Sequence, residues 1–96
     1  MKPLTPTQRK VLEYCKTEEH SPDAIVKLLW GGDPGGRRYL TASKIVLTLG
    51  RLGYIGVAQV FAGGRWLPNG EPRPFEYVMR GARYLATTKG REALRE

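Results

Sequence analysis

Residues 41–61, TASKIVLTLGRLGYIGVAQVF, contain the change of period that decides the fold. In the first half, Ile45, Leu49 and Leu52 recur at i, i+4 and i+7, which is helical spacing. Thr41 precedes them as an N-cap and Gly53 follows as a terminator. The spacing predicts a helix over 42–52 with those three side chains inward. From Tyr54 to Phe61 the residues become β-branched and aromatic, which predicts a strand. A helix running directly into a strand points to a mixed α+β domain.

Two further helices precede this stretch. Thr5-Pro6-Thr7-Gln8 is a capping box with Pro at the first helical position. Val11, Leu12 and Cys15 form an apolar stripe behind it, so a helix is predicted over about 6–17. Ser21-Pro22-Asp23 repeats that grammar, and Ile25, Leu28 and Leu29 predict a helix over 22–30. It stops at Gly31-Gly32, with Trp30 expected as a core plug. The short connection makes a tight helical corner. Residues 31–38, GGDPGGRR, read as a glycine-rich loop. It lacks the GK[ST] of a P-loop, so Arg37 and Arg38 are either solvated or in contact with a polyanion.

Beyond Phe61, residues 63–74 hold three prolines and three glycines, which excludes a helix or a long central strand. Phe75–Met79 and Arg83–Ala86 are strand candidates, with Gly81 at a bend or bulge. Thr87 or Thr88 caps a last helix over about 88–95.

A chain of 96 residues is expected to form one domain spanning 1–96. Sixteen Lys and Arg against nine Asp and Glu leave a net charge of +7, which favours a polyanionic partner. From Pro34 to Gly70 there is no Asp or Glu, while Arg37, Arg38, Lys44, Arg51 and Arg65 fall in that run. A phosphate-facing surface excludes acids in this way. A single cysteine excludes a disulfide framework and a Cys-based zinc finger. Cys15 is expected to be a core thiol, and His20, beside Glu18 and Glu19, a solvated loop residue. Glu92 and Arg95 form an exposed pair. No apolar run reaches membrane-helix length, and the N-terminus does not read as a signal peptide, so a cytoplasmic protein is expected. One His among exposed acids assembles no acid–base or nucleophilic set, so no enzyme, cofactor, metal or small-molecule ligand is expected.

Three segments resemble the winged helix-turn-helix family. Leu4-Thr5-Pro6-Thr7-Gln8-Arg9-Lys10-Val11-Leu12 is similar to the opening of its first helix. Leu49-Gly50-Arg51-Leu52-Gly53-Tyr54-Ile55 is similar to its passage from recognition helix to wing. Tyr84–Leu94 resembles the Y-x-L-T-x-x-G-R-E-A-L ending of its transcription regulators, with Ala86 where Leu is usual. The resemblance implies a three-helix core, a β-hairpin wing over about 54–86 and a short C-terminal helix.

It also implies a small transcription regulator that sets its third helix in the major groove of duplex DNA and its wing against the backbone or minor groove. Carried over, Arg37, Arg38, Lys44 and Arg51 would position phosphates, and Ser43 would donate to a phosphate or a base edge. With Ile45, Leu49 and Leu52 inward, the outward arc is Ala42, Ser43, Val46, Leu47 and Gly50. Val46 and Leu47 can touch a thymine methyl but cannot make bidentate bonds, so sequence readout would be poor. In the wing, Arg65, Trp66 and Arg73 are the nucleic-acid candidates, with Arg80, Arg83, Phe75 and Tyr77 nearby and Glu71 and Glu76 as the only acids.

Two alternatives stay open. The apolar arc of the third helix, with Val46 and Leu47, would suit docking onto a protein of a nucleic-acid machine, or homodimerisation. The aromatic wing would suit RNA or a single strand.

Overall fold

The computed structural model describes residues 4–31, 36–62 and 64–95, with the side chains of 60–62 and 65–71 left out. These residues form an α+β fold of four helices and a three-stranded antiparallel sheet. In chain order the elements are α1 (Pro6–Tyr14), α2 (Pro22–Trp30), α3 (Gly36–Arg51), β1 (Ile55–Ala62), β2 (Arg65–Arg73), β3 (Ala82–Ala86) and α4 (Thr88–Ala93). Among the described residues no helix is long and apolar enough to cross a membrane.

α1 begins as its sequence dictates. The Thr5 hydroxyl accepts from the Gln8 amide at 3.1 Å, and the Gln8 side chain accepts from the Thr5 amide at 3.0 Å. It ends at Tyr14, three residues earlier than the stripe predicted. The cause is tertiary: the Cys15 carbonyl accepts from the Ala86 amide of β3 at 2.9 Å instead of continuing the helix. His20 then forms a single antiparallel bridge to Tyr84, on the edge of β3 that β1 leaves open. The His20 ring stacks on Tyr14 with centroids 3.7 Å apart, so His20 is tied into the fold and is not simply solvated. α2 has its predicted bounds, with Ser21 as N-cap and Gly31 closing it at φ 67°. Trp30 is 39% exposed and plugs no core.

α3 departs most from expectation. It starts at Gly36, so Arg37 and Arg38 lie in its first turn and Thr41 lies inside the helix. Its buried face is Ala42, Val46 and Leu49, not Ile45, Leu49 and Leu52. Ile45 is half-buried and Leu52 is 41% exposed. The helix is rotated because a second layer covers it from the side that the sequence reading left open.

That layer comes from the sheet. The strand order is β2-β1-β3, so β1 is central. β1 and β2 form a hairpin whose pairing closes at Ala62↔Arg65, with Gly64 at φ 78°. β2 runs through Pro68 and Pro72, and in keeping with the exclusion of a long central strand there it is an edge strand. It lies at the sheet edge, where a missing N–H costs no ladder bond. Both ladders of β1 shift register between Val57 and Gln59. Against β3 the extra residue is Ala58, whereas against β2 the extra residues lie on β2, between Pro68 and Arg73; the expected irregularity at Gly81 is an ordinary turn.

Residues 74–81 are a strap, not the predicted strand, and they carry the chain from one side of β1 to the other. The Phe75 ring sits against Gly50 in the last turn of α3. The Arg80 guanidinium lies 4.2 Å above the Tyr39 ring in the first turns of α3, and its Nε is 3.5 Å from Asp23 Oδ1 of α2. The strap therefore runs back along α3, over the line of Tyr39, Ser43, Val46 and Gly50.

Candidate nucleic-acid interface

With one side of α3 packed on α1 and α2 and another under the strap, its remaining surface is narrow. Arg37, Thr41, Lys44, Thr48 and Arg51 are all exposed. They stand at i, i+4, i+7, i+11 and i+14, which places them within about 80° of arc on one face. The three cations repeat every seven residues, so Arg37 and Arg51 are separated by about 21 Å of helix axis. Leu40, 60% exposed, and Leu52 border this arc. No acidic residue occurs anywhere in α3.

The first turn of α3 is electrostatically unusual. It carries Arg37 and Arg38 and no acid. The positive end of a helix dipole disfavours cations there by roughly 0.3–1 kcal/mol each. Their charge adds to the partial positive charge of the first-turn N–H groups, which have no partner within the helix, and together these attract an anion. Arg51, in the last turn, is favourably placed. Beyond it, Lys89 Nζ lies 5.6 Å from the centre of the Tyr54 ring and its side chain runs beside Gly53. Thr48 donates its hydroxyl to the Lys44 carbonyl at 2.9 Å.

The other predicted site residues divide. Arg73 is exposed at the end of β2, and Arg38 is exposed beside Arg37. Val46 has no exposed surface, so its expected contact with a base is corrected: it is core. Leu47 is half-buried. The Ser43 hydroxyl is buried and has no hydrogen-bond partner among the described residues, so it cannot reach a phosphate or a base edge from this position. Val46 belongs to the core shared by the helices and the sheet, and the strap reaches the same side of α3 at Tyr39 and Gly50. The apolar arc expected for protein docking therefore lacks Ala42 and Val46, and what remains of it is the half-buried Leu47. Arg65 and Trp66 pair through their backbones with Ala62 and Phe61, and their side chains lie outside the described residues.

Thr41 and Thr48 were not among the expected site residues, nor was Lys89. The periodicity from Arg37 to Arg51 was the signal for the first two. It was hidden because the glycines at 35 and 36 moved the two arginines into a loop. No family model, curated protein or solved structure matches the chain.

Proposed function

We propose that this chain is a small winged-helix DNA-binding protein that lays the exposed arc of α3 against the phosphates and major groove of duplex DNA. The observation that carries the reading is the acid-free arc of Arg37, Thr41, Lys44, Thr48 and Arg51. Cations at both ends of a helix suit the two phosphate rows flanking a groove, while Thr41, Lys44 and Thr48 between them reach base edges. The connectivity supports the winged-helix assignment. A one-bridge strand at His20 precedes α2 and α3, and β1 and β3 follow as the wing. β2 and the strap are then an insertion into that wing. The +7 charge supplies long-range attraction to a polyanion. Occlusion or recruitment at a promoter, the work of a small transcription regulator, is the corresponding role.

The test is binding to a labelled duplex of about 25 base pairs, followed by anisotropy at several salt concentrations. Affinity should fall many-fold between about 50 and 200 mM salt. Arg37→Ala, Lys44→Ala and Arg51→Ala should each reduce the salt slope by about 1, whereas Val46→Ala should act only through stability. No binding at low salt by the folded protein, or an unchanged slope in all three variants, removes the reading.

A further inference from the structure

The strap leaves a cleft of about 300 Å³ against β1, lined by Val57, Arg73, Phe75, Glu76, Tyr77 and Met79 together with Pro74. Phe75 is its inner wall and is held firmly. It rests on Gly50, and its ring leans on Tyr84 with centroids 4.8 Å apart. Tyr77 is its outer wall and is 65% exposed; among the described residues no hydrogen bond or ring contact engages it. Met79 is likewise exposed. Arg73 and Glu76, both exposed, add a guanidinium and a carboxylate to the same lining.

The chemistry of this lining discriminates between ligands. An apolar side chain of a peptide would use the ring and the thioether but leave both charges idle. A free anion would meet Glu76. A nucleobase on its strand uses every group: its face stacks on Tyr77, its phosphate meets Arg73, and an amine on its edge donates to Glu76. Position ties the cleft to the end of α3 through one residue: Phe75, its inner wall, also rests on Gly50 in the last turn of that helix.

We propose that this cleft captures one unpaired nucleobase of a single strand that continues past the duplex held on α3. The inference extends the duplex reading and can fail separately from it. A carboxylate only accepts hydrogen bonds; cytosine offers its exocyclic amine at the corner of its edge, whereas thymine's one donor, N3–H, is flanked by two carbonyl oxygens that repel a carboxylate, so the cleft favours cytosine over thymine.

The experiment compares the full chain on a blunt duplex with the same duplex bearing four-nucleotide overhangs of dC or of dT, on the 3′ or the 5′ end. One dC overhang should bind roughly fivefold or more tightly than the blunt duplex, the gain expected from one aromatic stack. Tyr77→Ala should abolish that gain and leave blunt affinity unchanged, and because Tyr77 is exposed its loss does not threaten the fold. Glu76→Gln should erase the preference of dC over dT. Equal binding of blunt and overhung duplexes, or a gain that survives Tyr77→Ala, overturns the proposal. Absent blunt binding together with Tyr77-dependent binding of a single strand would remove the α3 reading and overturn this proposal in its duplex-linked form, leaving base capture from a free strand.

Discussion

Cys15 lies at the end of α1 with no exposed surface, and burial pushes its thiol up to about 12 from an ordinary value of 9.0. An unfolded thiol ionises near its ordinary value. Between about pH 9 and 12 the unfolded chain therefore releases a proton that the native chain keeps. The stabilisation is complete below that window and declines as pH rises through it. Cys15→Val should flatten the fall in urea midpoint between pH 8.5 and 10.5; an unchanged fall would show that the thiol contributes nothing. Burial of Tyr84 raises its hydroxyl in the same direction, partly offset by the amide of Met79 that donates to it, and this share should persist in the variant. The burial of Cys15 was legible, because Val11, Leu12 and Cys15 share one helical stripe. That of Val46 was not, because it belongs to a core built with residues of other helices and of the sheet, distant in the chain.

At the scale of the element, α4 shows why a short segment can be indispensable. Thr87 accepts from the Gly90 amide at 3.1 Å as N-cap and donates its hydroxyl to the Gly53 carbonyl at 2.6 Å, where α3 ends. Arg9 Nη1 donates to the Leu94 carbonyl at 3.1 Å, which joins the last helix to the first. Gly90 is buried, and a Cβ there would collide with the Tyr54 carbonyl oxygen. Backbone cannot yield as a flexible side chain does, so Gly90→Ala should cost about 1–3 kcal/mol or more. At Gly81 a Cβ would meet open space, and Gly81→Ala should stay within about 0.5 kcal/mol. Urea denaturation of the two variants checks this contrast. The Thr-x-x-Gly spacing was readable as part of a family-like ending. Its physical meaning, a cap and a close approach that dock α4 on Gly53, Tyr54 and Leu12, required those partners.

For the whole molecule, the strap is the decisive feature. It covers α3 at Tyr39 and Gly50, which are half-buried, and leaves the basic arc as the open face. Phe75 is its anchor and Tyr77 is not. Phe75→Ala should therefore cost about 2 kcal/mol, less than the roughly 3–5 of a fully buried ring. Tyr77→Ala should remain within about 0.5 kcal/mol. Equal losses, measured by thermal or urea unfolding, would show that the strap does not bear on the core through Phe75.

Local sequence by itself determined the starts of α1, α2 and α4, the ends of α2 and α3 at glycine, and the strand character of β1. Caps, prolines, glycines and β-branched runs act within a few residues, so they need no partner to be read. The charge of the chain and its acid-free run were equally local facts. The tertiary structure alone decided which face of α3 is buried, that a proline-bearing segment can serve as edge strand β2, and that Phe75–Met79 crosses the sheet instead of joining it. Each of these depends on contacts between residues distant in sequence; the apolar spacing of α3 marks a broad stripe, and only its neighbours decide that the stripe centres on Ala42, Val46 and Leu49.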